Sequence, residues 1–188
     1  MVMRKPSFIL CSIILMLLSS NAFSEIKHYE KNGIKFEYPS EWIEIDASGY
    51  GCVVYLHNQE GSDFRFKIIK FNDEASKQLS FDLLDDESLS VYLKSYSETF
   101  IKPMLNDSIN YKNLEITTYD TLMISNHKFS KFIYRYYFSY VGSVMEKCVY
   151  THLVEGYLFE ITLTYPVSEL DSKNKLKKIL QSFSFIDY

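Results

Sequence analysis

Residues 32–46 read NGIKFEYPSEWIEID, and their reading sets the architecture. From Gly33 to Tyr38, apolar Ile34, Phe36 and Tyr38 alternate with Lys35 and Glu37, the period-two pattern of a strand with one face in a core. Pro39 has no N–H for a sheet ladder, so the strand stops or turns there. Trp42-Ile43-Glu44-Ile45 resumes the extended pattern with the chain's only tryptophan at its head, and Ser48-Gly49-Tyr50-Gly51 breaks it.

Upstream, Arg4 and Lys5 form a positive n-region, Phe8 to Leu18 an apolar core, and Ala22-Phe23-Ser24 a small-x-small cleavage pattern. The expectation is a cleavable signal peptide over 1–24 and a single domain over 25–188, periplasmic or secreted after cleavage near Ser24/Glu25. The apolar run falls short of the roughly 20 residues that span a bilayer, and no later run approaches that length, so no stable membrane insertion is expected. Because the leader carries two cations and no acid, its loss lowers the formal charge from −4 to −6. Such a surface has no electrostatic basis for holding nucleic acid or anionic lipid. Cys52 and Cys148 remain in a compartment that permits oxidation, either as a disulfide or as two thiols, since sequence does not set their separation.

Downstream, Cys52 to His57 and Phe64 to Phe71 read as a hairpin around a polar, turn-rich link. Asp85-Asp86-Glu87-Ser88 leads into Leu89, Tyr92, Leu93, Tyr96 and Phe100, an amphipathic helix that should end near Pro103. Four strands follow, Leu114 to Ile124, Phe129 to Val141, Val144 to Val154 and Tyr157 to Tyr165, with breaks that favour antiparallel neighbours. Ser168-x-x-Asp171 has capping-box spacing before a helix with Leu176, Ile179, Leu180 and Phe183 on one stripe, and Ser184-Phe185-Ile186 adds a last short strand. The fold class is α+β, an antiparallel six- or seven-stranded sheet flanked by helices on both faces.

These residues carry a resemblance. Gly33-x-x-Phe36-x-Tyr38-Pro39-x-x-Trp42, then a terminal helix running into Ile179-Leu180-x-Ser182-Phe183-x-Phe185, resembles the PsbP-like or Mog1-like group of small α-β-α sandwich domains, which includes exported bacterial members of unknown role. The resemblance implies work on a protein partner, as in extrinsic subunits of the photosynthetic oxygen-evolving complex and a nuclear GTPase-binding protein. An export signal argues against the latter role, and no partner or ligand residue transfers by motif.

The residues that could carry chemistry are dispersed. His28, His57, His127 and His152 lack metal-site spacing, so no metal or other cofactor is expected, although Cys52, Cys148 and His152 could in principle converge. Asp82, Asp85, Asp86 and Glu87 read as a solvated helix start, and Ser48 to Cys52 as a turn without a nucleophile motif. More unusual are Phe132, Tyr134, Tyr136, Phe138 and Tyr140, aromatics on one face of one strand. They serve either as core under a helix or as a groove for a partner segment or apolar ligand. The functional expectation is an exported, non-enzymatic binding or accessory protein. An enzyme such as a hydrolase whose site assembles only in three dimensions, and an apolar-ligand carrier, are the alternatives.

Overall fold

A computed structural model describes residues 25–103 and 111–186; the signal-peptide reading of 1–24 lies outside them. Strands β1 (Ile26–Lys31) and β2 (Ile34–Pro39) form an antiparallel hairpin. Asn32 and Gly33 turn it with φ of 56° and 76°, positive at both positions, which matches the twist of the flanking strands and suits an Asn-Gly pair. Ile34, Phe36 and Tyr38 are buried as the alternation requires, and Tyr29 stacks on Phe36 with ring centroids 4.8 Å apart. Trp42, 1% exposed, anchors the corner before β3 (Ile43–Ile45).

The main sheet adds β4 (Val54–His57), β5 (Asp63–Lys70), β6 (Tyr111–Ile124), β7 (His127–Phe138), β8 (Ser143–Val154) and β9 (Tyr157–Pro166). Its seven strands run in the order β3-β4-β5-β9-β8-β7-β6, every neighbour antiparallel. The opening segment 34–39 is not part of it. It is the centre of a separate three-stranded sheet, β1-β2-β10, completed by β10 (Ser184–Phe185).

Helices cover both faces. Helix α1 (Glu74–Gln78) is a short connector, α2 (Asp86–Tyr96) runs on into a π turn at Ser97–Ile101, and α3 (Leu170–Ser182) closes the chain. On one face, Leu176 and Ile179 of α3 pack with the small sheet against Leu56, Phe64, Phe66, Ile161 and Leu163. On the other, Leu89 and Leu93 of α2 pack on Phe132, Tyr134 and Val149. Asp85 starts α2 by accepting the Ser88 N–H at 2.7 Å, with Asp86 and Glu87 in the positive first turn. The expected capping box of α3 does not form: Glu169 is its N-cap with no side-chain bond, and Asp171 instead pairs with Lys175 at 2.8 Å.

The topology also decides the cysteines. Cys52 precedes β4 while Cys148 lies in β8, with β5 and β9 between them. Three strand spacings amount to about 14 Å, twice the reach of a disulfide's Cα atoms. Both thiols are free, so the disulfide alternative is corrected.

Candidate functional site

Strand β7 places its aromatic residues in two environments. Phe132, Tyr134 and Tyr136 are 1%, 2% and 5% exposed, closed over by α2. Phe138 is half-buried, and Tyr140, beyond the end of the strand, is 89% exposed. The five therefore do not line one open groove: packing accounts for the inner three, because α2 needs an apolar floor. Val141, Val144 and Tyr137 are exposed with Tyr140 at the β7–β8 turn. A groove of about 590 Å³ lies between β2 and α3, and a cavity of about 170 Å³ lies under α3 beside Cys148; neither is lined by Phe132, Tyr134 or Tyr136.

A second constellation sits where the Ser125-Asn126 turn enters β7. Asp82, in the 3-10 turn Phe81–Leu83, accepts the Lys128 backbone N–H on Oδ1 at 2.6 Å, and its Oδ2 lies 3.1 Å from His127 Nδ1. His152, on β8, donates from Nδ1 to the Lys128 carbonyl at 2.9 Å. A carbonyl only accepts, so Nδ1 carries the proton and Nε2 of the neutral ring presents a lone pair. That Nε2 lies 3.9 Å from Asp82 Oδ2, buried, with no hydrogen-bond partner among the described residues. The backbone of one residue, Lys128, thus aims both the carboxylate and the imidazole, its N–H holding one and its C=O the other.

Burial and hydrogen bonding act in opposite senses on Asp82 and on His152. Burial disfavours the Asp82 carboxylate, but the Lys128 N–H and His127 outweigh it and hold the carboxyl below its ordinary range. Burial lowers the pKa of His152 more than its bond to Lys128 raises it, which favours the neutral ring. The Lys128 ammonium is turned to the Leu84 carbonyl at 2.7 Å and Asp86 at 3.2 Å.

Cys52, Cys148 and His152, which could in principle have converged, do not meet. Cys148 Sγ instead faces the Tyr165 hydroxyl at 3.7 Å, and Cys52 Sγ donates to the Tyr50 carbonyl at 3.4 Å. His152 is brought to Asp82 and His127, a grouping that spacing alone did not reveal.

These layers and this connectivity define a PsbP-like α-β-α sandwich. The chain is similar to CyanoP, the cyanobacterial PsbP of Synechocystis sp. PCC 6803, whose solution structure superposes with a TM-score of 0.59 at 17% identity over 89% of this chain and 96% of that one. LpqN of Mycobacterium tuberculosis, described as involved in cell envelope biogenesis, superposes with a TM-score of 0.53 at 9% identity, covering 86% and 91% of the two chains. The sequence matches no protein-family model and no curated protein. At these identities the likeness is one of fold. Among the described residues, no helix is long and apolar enough to cross a membrane.

Proposed function

We propose that this is an exported, non-enzymatic accessory protein that engages a protein partner through the tip of the β7–β8 hairpin. The observation that carries the reading is the cluster of Tyr140 at 89% exposure with Val141 and Val144 at 47% and 46%. The central part of a protein interface is apolar and enriched in aromatic residues such as tyrosine. The tip is also mounted on a rigid stem: rings of Tyr136, Phe138 and Tyr140 follow one another with centroids 6.3 Å apart at each step, down to the buried core. Mounting an exposed ring this way reduces the ordering cost of association. The leader pattern supports a periplasmic or secreted location.

The test is cross-linking in intact cells, followed by mass spectrometry, with wild type and a Tyr140→Ser/Val144→Ser variant. The expected result is a heterologous partner captured by wild type and lost in the variant at unchanged melting temperature. Capture of self-contacts only, or equal capture by both proteins, would overturn the reading.

An enzyme is the second reading, favoured by the convergence of Asp82, His127 and His152. Against nucleophilic catalysis on His152, no hydroxyl or thiol is bonded to either ring nitrogen: Nδ1 holds the Lys128 carbonyl and Nε2 has no hydrogen-bond partner among the described residues.

A further inference from the structure

We propose that Asp82, His127 and His152 form a binding site for a first-row divalent transition metal, Zn²⁺ being the ion best matched to the donor set. Their candidate donor atoms all lie within 4.8 Å of one another. Asp82 Oδ2 is 3.1 Å from His127 Nδ1 and 3.9 Å from His152 Nε2. Tetrahedral Zn²⁺ at 2.0–2.1 Å from its ligands needs donor separations of about 3.3 Å, so the 3.1 Å pair already lies near that value and the 3.9 Å pair would close by a few tenths of an ångström. Two imidazoles and one carboxylate suit zinc and its neighbours, whereas Ca²⁺ and Mg²⁺ require oxygen ligands throughout.

Packing alone explains only part of the arrangement. The His152 ring sits among Phe129, Phe159 and Phe81, at centroid distances of 5.2, 6.1 and 6.4 Å, which a core aromatic would also do. Packing does not explain a buried Nε2 turned toward a carboxylate. Burying a polar nitrogen unpaired is destabilising, and coordination would remove that penalty. The outer contacts fit the same purpose. A metal-bound histidine characteristically donates its second ring N–H to a backbone carbonyl, as His152 does to Lys128, and the Lys128 N–H orients the carboxylate.

His127 Nδ1 and Asp82 Oδ2 are within hydrogen-bond distance at 3.1 Å, and an incoming cation would displace the shared proton. The side chains of His127 and Asp82 are 24% and 35% exposed, which gives an ion an entry route to the buried His152. Three protein ligands leave a fourth tetrahedral position for water or an outside group. The proposal stands apart from the hairpin-tip reading, because the two rest on different residues.

The test uses the exported, tag-free chain, stripped with chelator and titrated with Zn²⁺ by calorimetry, with Co²⁺ absorption reporting ligand geometry. Wild type should bind one equivalent and gain thermal stability from it. Asp82→Asn and His127→Gln, at partly exposed positions, should stay folded by circular dichroism and each weaken Zn²⁺ binding by at least about tenfold. His57→Gln should leave it unchanged. Absence of saturable Zn²⁺ binding, or equal affinity in wild type and in both site variants, would overturn the proposal.

Discussion

Arg135 on β7 and Glu146 on β8 stand directly opposite in register, and the guanidinium grips one carboxylate oxygen twice, Nε at 2.8 Å and Nη2 at 2.7 Å from Oε2. Oε1 accepts from Lys173 of α3 at 3.1 Å and from the Tyr165 hydroxyl. This buried carboxylate joins three neighbouring strands, β7, β8 and β9, to the last helix.

Its titration follows. Burial pushes the Glu146 carboxyl up, but donation by Tyr165, Arg135 and Lys173 outweighs it and lowers the pKa from 4.5 to about 2. A group whose folded pKa lies below its unfolded value adds stability above the unfolded pKa and loses it as pH falls through the folded one. The stabilisation should therefore be complete above about pH 4.5 and decline toward pH 2, with an upper bound on the order of 3 kcal/mol. Glu146→Gln should lower neutral-pH stability by about 2–4 kcal/mol in urea unfolding and flatten the acid limb of the stability profile. An acid limb identical in both proteins would contradict this assignment.

The aromatic series on β7 predicts a contrast within one sequence pattern. Phe132→Ala opens a cavity under α2 and should cost about 3–5 kcal/mol, whereas Tyr140→Ser should shift stability by less than about 0.5 kcal/mol. Urea midpoints of the two variants make the comparison.

The thiols should also separate. Burial raises the pKa of both Cys52 and Cys148, but Cys52 is only half-buried while Cys148 is 5% exposed. In the chain from Glu25 onward, native alkylation should reach Cys52 slowly and Cys148 only after unfolding, two additions in all without reductant, read by intact mass. A reductant-dependent addition would reinstate a bridge.

Gly156 turns β8 into β9 at φ 80°, and its carbonyl accepts the Phe71 N–H at 2.7 Å. A Cβ there would meet the Phe71 carbonyl and Lys77 Cγ, each at 3.2 Å. Gly156→Ala should therefore cost at least about 1–2 kcal/mol, from the left-handed backbone alone, and lower the melting temperature.

Elements that bury one face were legible in the sequence. The alternation of Ile34, Phe36 and Tyr38 and the spacing of Leu89 and Leu93 mark sides that the core covers. Strand β1 carries no such mark, because only Tyr29 of its six residues is buried and no alternation results; α1 buries nothing and has no periodic pattern. The metal candidates were visible singly but not together. Asp82 read as one of four acids at a helix start, yet only Asp85 caps α2, while Asp82 turns to a histidine 45 residues away. Such a meeting is a product of strand order, and no local pattern encodes it.

Strand β6 is the long outer rail of the main sheet, and its pairing with β7 slips twice, between Lys112 and Glu115 and between Ile116 and Thr118, with Asn113 at φ 55°. Each slip breaks the even row of outward N–H and C=O groups that an arriving strand would have to match. The fourteen-residue edge is thereby a poor template for chain-on-chain growth, a safeguard against aggregation written into its backbone rather than its side chains.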